Sequence, residues 1–305
     1  MPGTEVVRGA DLQKSDKASA TMSRDTGAVD FGEFLFGGCD PSAQIKEARM
    51  RAFILRVADD FLNIRGSFKV GGLIDVGTQC SLVRRANGRF LFLDSYTLSG
   101  AVQRDVDALT NGGKDVEAIL NLHPFHTVHV RAMHHRYPSA KLYGTARHLL
   151  RFPDLPWQKT RTEQTRLHKL FEEDFEFSVP RGVDFISANE NVHFSSVLVL
   201  HRASRTIHVD DTLMYVRLPL PMRVLGFRDL VLFHPTLRQA LEKRKGAGQD
   251  FREWAEELAE RWRDAENLCA AHTTALTAAQ NEGASVHDRI LAALDKVSGT
   301  LRQRR

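Results

Sequence analysis

The sequence predicts an α+β fold in which two β-sheets pack together with helices outside. Three observations carry this. The chain of 305 residues runs through β-hairpins, then an α/β stretch, then β-hairpins again, then a second α/β stretch. Short apolar runs such as "FLFL" and "SSVLVL" read as buried strands. Helical spacing recurs between them, as at Val102, Val106 and Leu109.

Residues 1–28 are Ser-, Thr-, Ala-, Gly-, Asp- and Lys-rich without apolar periodicity and read as a flexible tail. Phe31, Phe34, Leu35 and Phe36 form an apolar patch expected to dock on the body. From Phe61 to Leu98 the pattern is β. Asn87-Gly88 predicts a hairpin whose two central residues both take positive φ. A helix carrying Val102, Val106 and Leu109 follows and ends at Gly112-Gly113. "VEAILNL" is a strand running into His123, "VHVRAMHHRY" a helix stopped by Pro138, and "AKLYGT" another strand. Residues 151–162 read as a loop and Thr162–Phe175 as a helix.

"VDFISA", "SSVLVLHR" and "RTIHVDD" are the second set of strands, with "RASR" as the turn between the last two. The apolar, Pro-containing stretch 217–234 precedes helices over about 235–245 and 249–263, and "AENLCAAH" is a late strand. The organisation expected is a domain over 29–282 and an amphipathic C-terminal helix over 283–305, with Ile290, Leu291, Leu294 and Val297 on its apolar face. That helix can cap the domain or support a homo-oligomer.

Composition narrows the function. A hydrophobic fraction of 42% with 26% charged residues marks a globular chain. The net charge of +4 is spread among acidic residues, apart from Arg302, Arg304 and Arg305, so no nucleic-acid partner is expected. Cys39, Cys80 and Cys269 are odd in number and far apart, which reads as reduced thiols. No signal peptide is evident, and no apolar run approaches the ~20 residues that cross a bilayer. A soluble, cytoplasmic protein without a membrane partner is expected. Cys80 and Cys269 lie in apolar strands, which argues against a thiol enzyme. "NGGK" lacks the spacing of a phosphate loop and reads as a helix C-cap.

The chemistry concentrates in "HPFHTVH". His123, His126 and His129 follow a buried strand and precede a helix, where α/β proteins place their sites. Neutral imidazole is a common ligand for borderline metals. The alternative is a set of surface or capping histidines. His134 and His135 read as ordinary surface residues. Downstream, His193 precedes a strand, Asp210 and Asp211 end one, and His272 ends another.

From about Phe61 to His272 the chain resembles the metallo-β-lactamase superfamily. "RFLFLDS" is similar to the family strand ending in Asp, here Asp94; "LNLHPFHTVH" to its His-x-His-x-Asp-His motif; and "NVHFSSVLVL" to the segment of the next ligand, here His193. "VDDTLM" resembles the Gly-Asp-Thr-Leu-Phe segment, matching at Asp211, and "LCAAHTTAL" the late strand ending in His272. "LYGTARHLLRFPDLPW" and "HRASRTIHVDD" resemble a divergent, glyoxalase-like branch. The chain departs from the motif in three places. His123 and His126 are three apart instead of two, Val128 replaces the Asp, and Asp210 replaces the Gly.

The resemblance implies a four-layer αββα sandwich of two mixed β-sheets. It implies Zn (or Fe or Mn), one ion given the departures, drawn from His123, His126, His129, His193, Asp211 and His272, with Asp211 also the catalytic residue. The activity implied is hydrolysis of a small-molecule ester, thioester, lactone or phosphodiester by metal-bound hydroxide. The alternative is a non-catalytic member of the fold that binds a ligand or partner.

Overall fold

The computed structural model describes residues 52–67, 69–70, 74–75, 77–218, 220–271, 274–281 and 283–302. The expected tail 1–28, the Phe31–Phe36 patch, His272, Arg304 and Arg305 lie outside the described residues.

The N-terminal half supplies strands β1 (Phe53–Ala58), β2 (Phe61–Gly66), β3 (Lys69–Val70), β4 (Ile74–Asp75), β5 (Thr78–Arg84), β6 (Phe90–Leu93), β7 (Val116–Leu120) and β8 (Lys141–Tyr143). Six of them form one sheet in the order β1-β2-β5-β6-β7-β8, while β3 and β4 pair separately. Pairing is antiparallel up to β6 and parallel from β6 through β7 to β8. The helices Gly100–Leu109 and Val130–Arg136 make the two parallel crossovers.

The C-terminal half supplies β9 (Phe175–Ser178), β10 (Leu198–His201), β11 (Thr206–Val209), β12 (Leu213–Val216), β13 (Leu230–Phe233), β14 (Asn267–Ala270) and β15 (Ala275–Leu276). The second sheet has five strands in the order β15-β14-β11-β10-β9, with β12 and β13 as a separate antiparallel pair. It too is mixed, because β11 and β14 run parallel.

Strand alternation sorts the side chains into layers. Phe61, Val83, Leu91, Leu93, Ala118 and Leu120 of the first sheet share one apolar cluster with Val199 and Cys269 of the second. Their neighbours Leu62, Leu82, Phe92 and Ile119 point the other way and pack on Val102, Val106, Met133 and Tyr137 of the crossover helices. On the far side, Leu198, Leu200, Ile207, Val209 and Leu268 pack on Phe251, Trp254, Leu258 and Trp262 of the helix Ala247–Arg261. The result is the αββα sandwich of two mixed sheets. Among the described residues, no helix is long and apolar enough to cross a membrane.

The interlayer changes character along its length. At one end it is apolar. At the other, Asn63 and Arg65 of β2 meet Gln79 and Ser81 of β5, all buried. Arg65 donates to the carbonyls of Ala270 at 2.6 Å and Ala271 at 3.2 Å, and Gln79 Nε2 to those of Val209 at 2.8 Å and Cys269 at 3.0 Å. These side chains tie one sheet to the other where the second sheet's strands end.

Several expectations need correction. The helix expected over Thr162–Phe175 covers only Thr165–Leu170. Phe175 opens β9 instead, because pairing with His201 buries its ring completely between the sheets. "VDFISA" forms no strand; Val183 makes a single bridge to Leu241, and Asp184 N donates to Ala240 O. The loop expected from 151 follows a short helix, Ala146–Arg151. The helix expected over about 235–245 is one turn, Leu237–Ala240.

The Asn87-Gly88 hairpin exists, but only Gly88 has positive φ, at 81°. Gly88 N donates to Arg85 O at 2.9 Å and Arg85 N to Arg89 O at 2.8 Å. That is a three-residue loop ending in a left-handed glycine, the bulged alternative to a two-residue turn. The C-terminal helix is broken at Val297 into Val286–Lys296 and Ser298–Arg302. Val286, Ile290, Ala293, Leu294 and Leu301 join the outer core of the second sheet, so its apolar face caps the domain.

Candidate metal centre

Three strand ends build the site. β6 ends at Leu93, and Asp94 follows with φ of 61°, which turns its carboxylate back under the next strand end. Asp94 Oδ1 accepts from Leu122 N at 2.8 Å, just after β7. The chain then turns at His123–His126, closed by His126 N donating to His123 O at 3.1 Å. Across the interlayer β11 ends at Val209, and Asp210 and Asp211 follow. Thr212 Oγ1 fixes that corner by accepting from Ser196 N at 3.0 Å and donating to Phe194 O at 2.9 Å. These are carboxyl ends of strands in mixed sheets, the position where open α/β sheets bind ligands.

Among the described residues, two trios of ligand-type side chains each place one ligand atom apiece within 4.8 Å of one another. The outer trio is His123, His126 and Asp211. The two imidazoles stack, with centroids 4.0 Å apart and planes at 24°. Asp211 Oδ2 lies 3.2 Å from His123 Nε2 and 3.5 Å from His126 Nε2. His123 and Asp211 are buried, whereas the His126 side chain is 32% exposed. His126 is therefore the face of the trio that meets solvent.

The charges of the outer trio are strongly coupled. Burial works against the charged form of His126, but Asp210 and Asp211 overcome it and hold His126 well above the usual histidine range. Burial likewise opposes ionised Asp211, and His123 and His126 overcome it to hold the carboxylate well below its usual range. His123 is pushed down by burial and by the His126 charge. Phe125 N donates to His123 Nδ1 at 3.1 Å, so the neutral ring carries its hydrogen on Nε2.

The inner trio is Asp94, His208 and Asp210, all buried. His208 Nε2 is 3.1 Å from Asp94 Oδ2, and its Nδ1 is 2.9 Å from Ser81 Oγ. Asp210 Oδ2 reaches outward to His126 Nδ1 at 3.2 Å. Burial and then the Asp210 carboxylate push the Asp94 carboxyl up to about 6, against the pull of His208.

Of the sequence-predicted residues, the structure brings His123, His126 and Asp211 together. His129 begins the helix Val130–Arg136 and turns to Thr97, with Nδ1 2.8 Å from Thr97 Oγ1 and its ring 4.9 Å from Tyr96. Burial and then the His126 charge push it down to about 4. His193 sits at the rim: its ring is 6.1 Å from His123, stacks on Phe125 at 4.6 Å, and places Nε2 2.6 Å from Glu190 O. The Arg147 guanidinium covers Phe125 at 4.4 Å and pairs with Glu190 at 2.7 Å, closing that rim. His272 lies outside the described residues. His208 was missed by sequence reasoning. Its signal was alternation in "RTIHVDD", where Ile207 and Val209 face the helices and His208 faces inward.

The donor set fits a cation. Two imidazoles and a carboxylate suit Zn, Fe or Mn. His123 Nε2, although near Asp211, is a buried nitrogen with no aligned hydrogen-bond partner. Such an atom is costly to leave unsatisfied, and a cation bound there would take the place of the hydrogen on Nε2.

No protein-family model matches the chain, and no curated protein matches it by sequence. Solved structures do match by shape. A metallo-β-lactamase from Erythrobacter litoralis aligns with a TM-score of 0.52 at 11% identity, over 81% of this chain and 96% of that one. The DIM-1 metallo-β-lactamase aligns with a TM-score of 0.51 at 14% identity, over 81% of this chain and 99% of that one. The two mixed sheets, their outer helices and this likeness make the same statement: the chain has the metallo-β-lactamase fold.

Proposed function

We propose that this protein is a metal-dependent hydrolase whose outer cation is held by His123, His126 and Asp211. The observation that carries the reading is the convergence of those three side chains at strand ends, around a buried imidazole nitrogen without an aligned partner. Zn is the first candidate, with Fe or Mn as alternatives, because the donors are nitrogen and oxygen only. Such a cation lowers the pKa of a bound water to about 7 and polarises an acyl or phosphoryl oxygen.

The chain's own residues give the site a direction. His123 and Asp211 are buried on the protein side, and His126 is the partly exposed ligand, so a substrate approaches across His126. Phe125, held between Arg147 and His193, forms one wall of that approach. The substrate class proposed is a small-molecule ester, thioester, lactone or phosphodiester, acted on in the cytoplasm. Within the fold, "LYGTARHLLRFPDLPW" and "HRASRTIHVDD" favour the glyoxalase-like branch.

Metal analysis of the purified full chain tests the reading, before and after exposure to Zn, Mn or Fe(II). About one ion or more per chain, reduced by His123→Ala, is the expected result. Less than about a tenth of an equivalent under all conditions overturns it and leaves a non-catalytic protein of this fold.

A further inference from the structure

We infer that the chain carries a second, inner cation site made of Asp94, His208 and Asp210, which has a different ligand set from the outer site and lies between the two sheets. Four observations support it. The three side chains come from the ends of β6 and β11 on opposite sheets and offer ligand atoms within 4.8 Å of one another. All three are at least 98% buried, so two carboxylates face one imidazole where little water reaches. Asp210 Oδ1 is buried without a hydrogen-bond partner, while its Oδ2 is engaged by His126. Ser81 holds His208 Nδ1, the contact from behind that orients a ligating imidazole.

The surroundings argue in the same direction. Buried carboxylates are costly unless a cation or hydrogen bonds compensate them. The nearby fixed cation, Arg65, already donates to Gln79 and to the carbonyls of Ala270 and Ala271. A divalent ion on Asp94, His208 and Asp210 satisfies the remaining oxygen and balances the charge. Two carboxylates and one imidazole make a harder donor set than the outer trio, which favours Mn(II) or Fe(II) over the softer ions. The way in is through His126, which is partly exposed and contacts Asp210 directly. Val128, at the motif position where a carboxylate is missing, is not part of this site.

The inference extends the proposed metal chemistry, yet the two rest on different side chains and are separable. The experiment is Mn(II) and Zn(II) binding stoichiometry of the full chain, with Mn(II) electron paramagnetic resonance as a second measurement. Asp94→Asn is the chosen variant: its amide oxygen still accepts from Leu122 N, and Asn tolerates positive φ. The wild type is expected to bind about two ions per chain, with Mn(II) taken up at both sites. Asp94→Asn and His208→Gln are each expected to bind about one ion, and His123→Ala to retain about one. An unchanged stoichiometry in Asp94→Asn and His208→Gln overturns the inner site and leaves the outer one standing. Retention of one ion in His123→Ala that Asp94→Asn does not remove also overturns it. No binding by the wild type overturns both readings. Should His208→Gln fail to fold, Asp94→Asn and the wild-type signal still decide.

Discussion

His148 offers a test of how the histidine loop is supported. Its side chain is fully buried, with Nδ1 3.2 Å from Thr145 N and 3.0 Å from Thr145 Oγ1. Its Nε2 faces the backbone oxygen of His126 at 3.4 Å. A neutral ring with its hydrogen on Nε2 satisfies these contacts; a proton on Nδ1 would face the Thr145 amide hydrogen. Burial pushes the His148 pKa from 6.5 down to about 3. The unfolded chain therefore takes up this proton first as the pH falls. The contribution to stability is complete above about pH 6.5 and is lost between there and about 3. At about pH 4.5 the span is about two units, or roughly 3 kcal/mol at 1.36 kcal/mol per unit. His129 and His193, both pushed down to about 4, add to the wild-type loss but cancel in a comparison. Urea unfolding of the wild type and His148→Gln at about pH 7 and about pH 4.5 reads the difference. The variant is expected to lose about 2–3 kcal/mol less than the wild type over that interval. Equal losses would refute the assignment of a neutral, buried His148.

Other expectations follow from separate parts of the molecule. Gly182 has φ of 73°, and a Cβ there would collide with Ala247 O, so Gly182→Ala should cost about 2–4 kcal/mol in chemical denaturation. A loss below about 1 kcal/mol would contradict the contact with helix Ala247–Arg261. Arg85 pairs with Glu117 at 2.6 Å and Asp174 at 2.8 Å, and Asp174 also caps Ala86 N. Arg85→Met strands that buried carboxylate and should cost about 2–4 kcal/mol, with Asp174→Asn in the same chain recovering part of it. Metal uptake should release protons, since His126 is held protonated beside Asp210 and Asp211. Calorimetry in buffers of different ionisation enthalpy measures that release, and buffer-independent heats would exclude it.

Much of the fold was legible because apolar runs of strand length and helices of clear period alternate along the chain. What failed was local pattern set against long-range pairing. Phe175 belongs to a helical-looking stretch, yet it is a strand residue because His201 of β10 lies beside it. "VDFISA" looks like a strand, but no neighbour in either sheet pairs with it beyond Val183. The site was partly legible. His123, His126 and Asp211 stand out by residue type at strand ends, whereas nothing local distinguishes His126 from His129. The difference is tertiary: Asp210 and Asp211 draw His126 inward, and Thr97 takes His129. His208 was hidden because a histidine in an apolar strand reads as a surface residue until the facing sheet supplies Ser81 of β5 and Asp94 after β6.

The irregular spacing of the histidine motif has a structural answer. On an extended chain, residues two apart share a face, which suits ligands separated by one residue. Here His123 and His126 are three apart, and the chain between them is a turn rather than a strand. His126 N donates to His123 O, Pro124 supplies the fixed φ favoured at the second position of such a turn, and the two rings stack at 4.0 Å. A three-residue separation on a turn thus achieves what a two-residue separation achieves on a strand. The replacement of the motif's Asp by Val128 is a different kind of departure, because no change of backbone can restore a missing carboxylate. Carboxylates instead come from other strand ends: Asp210 and Asp211 from β11 opposite, and Asp94 from β6 beside the histidine loop. Negative charge therefore lies in the interlayer, where Leu122 N and His208 position Asp94, rather than on the histidine loop. The motif is altered in sequence, yet His123 and His126 still converge with Asp211 from outside it.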